Sequence, residues 1–270
     1  MMEAFTIRKL ALQDTQPLLG LSLDAGWNQQ EAEIRDIITR SGENILGAFH
    51  GDDMAGVAAA YCYEKVAFIN EVIVGSVWRK HGVATSLLNE LLPKVLPLCP
   101  TLRLYATEQG RPLYEKMGFV PYGTLCFCQF KNSLSKPSER VRPVSEEDIP
   151  RICALDEEQF GLRREALMRK LFSNAPESAW CIRENERLQG FILRNHDEWL
   201  LQSRSVDGIA ELVLHADHCI NDSLVACLWK DDADALSALL EKHLELTAMQ
   251  YGNAIPFPPK CHSVCLPDIG

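Results

Sequence analysis

The stretch VIVGSVWRKHGVATSLL (residues 72–88) joins an apolar run to a helical pattern through a basic turn. Its first three residues are β-branched, as is common in buried strands. Arg79 and Lys80 then precede Gly82, and an apolar stripe begins at once. The stripe repeats every three or four residues and consists of Val83, Leu87, Leu88, Leu91, Leu92 and Val95. This spacing is typical of one buried helix face, so the stretch predicts a strand, a basic turn and a helix in succession.

A helix that starts directly after a basic, glycine-containing turn is suited to bind an anion. Its first N–H groups have no intrahelical partner, and the helix dipole adds positive potential there. We expect the backbone amides of residues 79–84 to converge on a phosphate or pyrophosphate, with small residues letting it approach. The alternative is a solvated helix cap with incidental charges. The sequence has no GxxxxGK[ST] motif and no GxGxxG near Gly82, which disfavours a P-loop NTPase and a Rossmann dinucleotide site.

Composition restricts the class of protein. The 270 residues carry a net charge of −10, so a general affinity for nucleic acid is not expected. No apolar run approaches the roughly 18 residues that a membrane-spanning helix needs. The first ten residues lack the basic and then apolar profile of a secretory signal. We therefore predict a cytoplasmic protein without membrane or nucleic-acid partners.

The ten cysteines are scattered, and without a secretory signal we interpret them as reduced and mostly buried. Cys126 and Cys128 alternate as in a strand, which predicts core packing. Cys261, His262 and Cys265 are zinc-compatible, but no second ligand pair is near them in the sequence. We therefore predict no metal site.

The chain is long enough for two domains and contains an imperfect internal duplication. Residues 133–140 are mostly polar and predict a linker between a domain at 1–132 and a domain at 141–270. VRPVSEEDIPRICALD follows the plan of FTIRKLALQDTQPLL, a strand with arginine and then a capped acidic helix. We predict that the last helix of the second copy covers 231–246. No basic glycine turn precedes it: residues 228–240 read LWKDDADALSALL, which is acidic, so we do not expect the second copy to bind an anion in the same way.

Two ordered motifs in the first half resemble those of the GNAT acetyltransferases. Residues 72–88 are similar to the acyl-CoA signature V-x-P-x-x-R-x-x-G-x-G/A, with Arg79, Gly82 and Ala84 in the Arg, Gly and Gly/Ala places. Ser76 stands where proline is frequent. GRPLYEKMGFVPYG (residues 110–123) resembles the second hallmark, a short helix that carries a tyrosine before GF.

The resemblance extends to a two-lobed bacterial-type subgroup of this family. GWNQ (residues 26–29), FGLRREALMRKLF (residues 160–172) and the APESAWCIRENERLQGFIL that follows are the segments similar to it. The resemblance implies an α/β fold with a mixed sheet, a tandem GNAT-like acyl-CoA N-acyltransferase fold. Its N-terminal lobe would be catalytic, and its C-terminal lobe would be a degenerate copy.

The resemblance also implies acetyl-CoA as the acyl donor. The donor would lie where the central strand and the next strand splay apart, with its pantetheine arm on the strand backbone. Its pyrophosphate would lie on the basic turn, and a backbone N–H of residues 72–74 would stabilise the oxyanion of the tetrahedral intermediate. The implied donor-binding residues are Val72, Ile73, Val74, Arg79, Lys80, His81, Gly82, Val83, Ala84 and Thr85.

For catalysis the resemblance implies direct acetyl transfer to an amine, which must lose a proton before it attacks. Glu71 is the first candidate for the base, although it could be an ion-paired strand carboxylate, and Glu108 is the second. Tyr114 would donate a proton to the departing thiolate, and its alternative role is core packing. Trp27 and Asn28 would line the acceptor pocket, unless Trp27 belongs to the core.

The leading hypothesis is an acetyl-CoA-dependent N-acetyltransferase that acts on a primary amine of a small molecule. One alternative is a non-catalytic acyl-CoA-binding or sensing protein. Another is a transferase whose acceptor is a protein lysine or N-terminus. The sequence leaves the acceptor open, and it also leaves open whether the chain forms a homodimer.

Overall fold

The computed structural model describes residues 5–27, 29–131, 137–195, 198–220 and 224–253. The strands are β1 (Thr6–Lys9), β2 (Ile45–His50), β3 (Asp53–Tyr63), β4 (Val66–Val74), β5 (Thr101–Ala106), β6 (Val120–Phe130), β7 (Val141–Pro143), β8 (Ala179–Glu184), β9 (Arg187–Asn195), β10 (Glu198–Ser203), β11 (Val225–Trp229) and β12 (Leu240–Gly252). The α-helices are α1 (Thr15–Asp24), α2 (Glu31–Ser41), α3 (Val83–Val95), α4 (Arg111–Lys116), α5 (Ile149–Phe160), α6 (Glu165–Asn174), α7 (Val206–Ile220) and α8 (Lys230–Ala235). None of the helices in these residues has the length and apolar character needed to cross a membrane.

Packing divides the described chain into two compact units. The first contains residues 5–104 together with 250–253, and the second contains residues 105–249. The end of β12 thus belongs to the first unit, and β6 belongs to the second. The sequence instead suggested a division at 133–140, of which 133–136 lie outside the described residues. Chain order does not determine which strands pair, and for this reason the compact units are not contiguous segments.

The first unit is built on a mixed sheet, as predicted for the α/β fold. β1 to β4 are consecutive antiparallel neighbours, and β5 runs parallel to β4. α3 packs closely on β3 at Gly56, where an added Cβ would lie 2.8 Å from Val83 Cγ1 and 2.9 Å from Ile73 O. The core under α1 and α2 consists of Leu10, Leu18, Leu21, Ile34, Ile37, Ile38, Ile45, Phe49, Val57, Ala59 and Ile73.

Two irregularities set the second half of β4 apart from its neighbours. The described pairing with β5 ends at Phe68↔Arg103, although β4 continues to Val74. On the other side, the register with β3 shifts between Ala59↔Asn70 and Val57↔Ile73, which makes a β-bulge at Glu71 and Val72. Beyond Phe68 the backbone of β4 therefore has no described partner on β5, in agreement with the predicted splay.

Several elements of the second unit repeat those of the first at a constant offset in residue number. Its strands follow the order β12-β6-β11-β10-β9-β8-β7. α5 begins at Ile149, 134 positions after Thr15, the first residue of α1. α6 begins at Glu165, which is also 134 positions after Glu31, the first residue of α2. The hairpin of β8 and β9 corresponds in the same way to that of β2 and β3. The predicted duplication is therefore present in the fold.

The helix predicted at 231–246 is wrong. α8 ends at Ala235, and β12 begins at Leu240. The leucines of this segment fit both helical and strand periodicity, and the neighbouring strand β6 decides between them, since His243 Nε2 lies 3.1 Å from Gln129 Oε1 of β6. The helix that corresponds to α3 is α7, which directly follows β10.

Candidate functional site

The connection from β4 to α3, residues 75–82, is anchored at its start. Gly75 N–H donates to Ala55 O at 3.0 Å. The backbone N–H and the Oγ of Ser76 donate to the Asp24 carboxylate at 2.6 and 3.0 Å. These hydrogen bonds, with a smaller contribution from the charge of Arg79, lower the pKa of Asp24. Ser76 thus ties the turn to the end of α1 through an N–H group that the usual proline lacks.

The second half of this connection is exposed and basic. Arg79 Nε donates to Val74 O at 3.4 Å, and His81 Nδ1 lies 3.0 Å from Arg79 O. Lys80 and Gly82 have left-handed backbones, with φ of 66° and 82°. An added Cβ at Gly82 would meet no atom within 4 Å, so the space above this residue is open.

α3 begins at this open point. Gly82 is its N-cap, and Ser86 N–H donates to Gly82 O at 2.9 Å. The amides of residues 83–85 precede that bond and are the ones that a helix start leaves without intrahelical acceptors. Val83 is buried, whereas Thr85 is exposed. The structure thus brings together helix-start amides, two cationic side chains and free space, which can hold a phosphate group.

Glu71 lies in the bulge of β4 with a left-handed backbone, φ 49°, and is 2 % exposed. Gln29 Nε2 donates to its two carboxylate oxygens at 3.3 and 3.4 Å. Gln29 Oε1 in turn accepts from Ser22 Oγ at 2.6 Å. The sequence interpretation missed Ser22 and Gln29. The only signal was that Gln29 is the last residue of the GWNQ segment.

Tyr114 lies on the short helix α4 in the second unit. It is 9 % exposed, and its ring meets Phe119 edge-on at 5.9 Å between ring centroids. Burial raises the pKa of Tyr114, so the phenol keeps its proton at neutral pH. Glu108, the second candidate base, is exposed in the turn before α4.

The residues expected to line the acceptor pocket are only partly described. Trp27 follows the end of α1 and is 41 % exposed, so it is not a core residue. Its N–H donates to Ser22 O at 3.0 Å. Asn28 lies outside the described residues, and its predicted role remains a prediction.

Most of the described cysteines are buried, as expected, whereas Cys62 and Cys219 are exposed. Cys126 and Cys128 are fully buried, and Cys128 Sγ lies 3.4 Å from Cys126 O, so the predicted core packing is confirmed. Burial raises the pKa of Cys128 to about 12, which keeps this thiol protonated. Cys261, His262 and Cys265 lie outside the described residues.

The corresponding place in the second unit is built differently. Only residues 204 and 205 connect β10 to α7. Arg204 donates through Nη2 to Glu158 at 2.5 Å and through Nε to Leu188 O at 3.1 Å. The first turn of α7 carries Asp207. The long basic connection of the first unit is therefore not repeated here.

The bulge is also missing from the second unit. β9 and β10 pair without a register shift from Leu193↔Leu200 to Phe191↔Gln202. One residue, Leu201, thus stands where β4 has Glu71 and Val72. The second copy lacks both features that distinguish the candidate site, the long basic connection and the bulged carboxylate.

One family model matches the first part of the chain, and other comparisons extend over most of it. Residues 23–128 match the acetyltransferase (GNAT) domain family. The N-acetyltransferase YitH of Bacillus subtilis (strain 168), itself uncharacterized, is 24 % identical over 192 residues, which cover 68 % of this chain and 66 % of YitH, just under two thirds.

Two solved structures share the fold over nearly the whole chain. A putative acetyltransferase from Pyrococcus horikoshii has a TM-score of 0.84 at 18 % identity and covers 100 % of this chain and 97 % of its own. A GCN5-related N-acetyltransferase from Sphaerobacter thermophilus has a TM-score of 0.69 at 13 % identity. The match covers 94 % of this chain and 98 % of that one.

Proposed function

Since the chain carries a GNAT acetyltransferase domain at residues 23–128, we propose that it transfers the acetyl group of acetyl-CoA to a primary amine of a small molecule. The domain is that of an acyltransferase. The observation that carries the proposal is the contrast between the two copies. The first unit has the basic connection at residues 75–82 and the bulge at Glu71, whereas the second unit has neither.

The residues of the first unit fit the donor. The open space at Gly82 and the amides of residues 83–85 suit a pyrophosphate, and Arg79 and Lys80 supply positive charge. We assign the phosphate contacts to these residues, with His81 and Thr85 beside them. The backbone of Val72, Ile73 and Val74, beyond the described β4–β5 pairing, would hold the pantetheine arm. Acetyl-CoA supplies the activated acetyl group as a thioester.

The acceptor reaches its reactive form by losing a proton. We propose that the Glu71 carboxylate takes this proton from the ammonium form, directly or through water. The bulge supports this role because it interrupts the ladder with β3 at this residue. A backbone N–H in the segment 72–74 would then donate to the carbonyl oxygen of the acetyl group as negative charge develops on it.

Tyr114 is proposed to act on the leaving thiolate. The raised pKa keeps the phenol protonated, as a donor must be. An ordinary thiol has a pKa of about 8.5, below that of a buried phenol, so Tyr114 contributes mainly a hydrogen bond to the thiolate. The proton that finally forms the thiol comes from the attacking nitrogen, which loses it as the amide forms. The net reaction converts ammonium and thioester into amide, thiol and one released proton.

Trp27 and Asn28 are proposed to line the acceptor side. Trp27 lies two residues before Gln29, and its exposed indole is suited to cover the apolar part of an amine. The match with YitH stops short of two thirds of that protein, so the acceptor is assigned only by class. We further propose that the protein acts in the cytoplasm.

CoA release with a panel of amines tests the proposal. Thiol formation would be followed with acetyl-CoA and spermidine, glucosamine, lysine, phenylethylamine or a lysine-containing peptide. The proposal expects stimulation by a small amine and mass-spectrometric detection of its acetylated product. Stimulation by the peptide alone would indicate a protein acceptor. Acetyl-CoA binding without stimulation by any amine would favour a non-catalytic sensor.

A further inference from the structure

The amide of Gln29 contacts the buried carboxylate of Glu71 at both oxygens. Glu71 is almost fully buried, and a carboxylate removed from water needs hydrogen-bond donors to stay ionised. Gln29 Nε2 lies nearly the same distance from both carboxylate oxygens, 3.3 and 3.4 Å. Gln29 therefore contacts the carboxylate at both of its oxygens.

The direction of the Gln29 amide is set by Ser22. The Ser22 hydroxyl donates to Gln29 Oε1 at 2.6 Å, so the amide nitrogen is the end that faces Glu71. Ser22 is fully buried at the end of α1, and its carbonyl accepts the N–H of Trp27. The same residue therefore fixes both the turn that leads to Gln29 and the orientation of its amide.

We propose that Gln29 is a positioning residue for Glu71 and that Ser22 acts through Gln29. Hydrogen bonds to the charged form of a carboxyl group favour that form. Gln29 thus keeps Glu71 ionised and orients its carboxylate despite burial, and Ser22 prevents the amide from turning its oxygen toward the carboxylate. This inference rests on the proposed function, in which Glu71 is the base.

The direct test is a titration that does not require turnover. The protein is labelled with ¹³C at the glutamate carboxyl carbons, and the Glu71 resonance is identified by its loss in Glu71→Gln. In Gln29→Leu we expect the titration midpoint of Glu71 to rise by about one pH unit, because a hydrogen-bond donor to the charged form is removed. Gln13→Leu, the same change at an exposed glutamine before α1, should leave the midpoint unchanged.

Ser22 gives a second, independent readout. Ser22→Ala should move the midpoint in the same direction by a smaller amount, and it should have no further effect in the Gln29→Leu background. Circular dichroism checks that each variant is folded. An unchanged midpoint in Gln29→Leu, or additive effects of the two substitutions, would overturn the inference.

Activity separates this inference from the proposed function. If Glu71→Gln releases CoA at the wild-type rate with the best amine of the panel, the assignment of the base fails whatever the titration gives. If Glu71→Gln is inactive and the midpoint is unchanged in Gln29→Leu, only the positioning role fails. If Glu71 is the base and Gln29 positions it, Gln29→Leu should shift the acidic limb of the kcat/KM profile to higher pH by the same amount as the titration midpoint of Glu71.

Discussion

Arg8 donates two hydrogen bonds to the carboxylate of Asp14, at 2.9 and 2.7 Å. Arg142 makes the same pair of contacts to Asp148 in the second unit, at 3.0 and 2.7 Å and again six residues apart. In both copies the aspartate also accepts a backbone N–H at the start of its helical segment, from Ala11 at 2.9 Å in the first and at 3.0 Å in the second. The duplicated element therefore includes a side-chain pair that joins the edge strand to the first helix.

This pair makes the stability of the second unit depend on pH. Burial opposes ionisation of Asp148, but the hydrogen bonds from Arg142 and from Ser145 outweigh it and lower the pKa to about 2. A depressed pKa contributes stability above the unfolded value, and the contribution disappears as pH falls through the folded value. We expect about 2 kcal/mol at pH 7, about half of it remaining at pH 3, and nearly none below pH 2.

The measurement is the unfolding free energy of wild type and Asp148→Asn from urea titrations between pH 7 and pH 2.5. The difference should shrink as pH falls from 4. Glu146→Gln, a neighbouring exposed carboxylate, serves as the control and should show little difference at any pH. A difference that is constant over this range would contradict the role given to Asp148.

Most of the fold could be predicted because local patterns agree with the tertiary structure. The apolar stripe from Val83 to Val95 forms α3, as its spacing predicted. The segment 231–246 could not be predicted, because its leucines fit two periodicities and the neighbouring strand β6 selects one. β6 belongs to the second unit and the end of β12 to the first, and this assignment likewise depends on strand pairing, which chain order does not determine.

The site could be predicted where a motif requires a particular backbone. Gly82 and Arg79 lie where the signature placed them, at the start of α3. The contact of Gln29 with Glu71 joins positions 42 residues apart in the chain. No local pattern marks it, because it depends on the turn after α1 and on the bulge in β4. The anchoring of Ser76 by Asp24 has the same non-local origin.

Glu71→Gln tests the base. The substitution keeps the size of the side chain and removes its ability to take a proton, so kcat with the best amine should fall about 10²- to 10⁴-fold. Acetyl-CoA affinity, measured by calorimetry, should change little, because Glu71 is not among the proposed phosphate contacts. Glu90→Gln makes the same chemical change on the exposed face of α3 and should retain activity. Retained turnover in Glu71→Gln would exclude this residue as the base.

Tyr114→Phe tests the stabilisation of the leaving group. Removing a hydrogen bond to a charged group costs about 1.5–3 kcal/mol, so kcat should fall roughly 10- to 100-fold. Burial raises the pKa of Tyr114, so this phenol does not lose its proton below pH 10. Any fall of kcat with rising pH below pH 10 in the wild type should therefore also occur in the variant. Tyr122→Phe, the same loss of a hydroxyl group on β6, is the matched control. If both variants behave alike, the assignment to Tyr114 is wrong.

Isothermal titration calorimetry with acetyl-CoA tests the central claim most directly, namely that the first unit alone holds the donor on its basic helix start. Wild type should bind one acetyl-CoA per chain, and Arg79→Glu combined with Gly82→Asp should abolish binding, because a negative charge replaces each contact. Lys94→Glu, a charge reversal in the last turn of the same helix, should leave the affinity unchanged. Unchanged affinity in the double variant, or two sites per chain in wild type, would contradict the account.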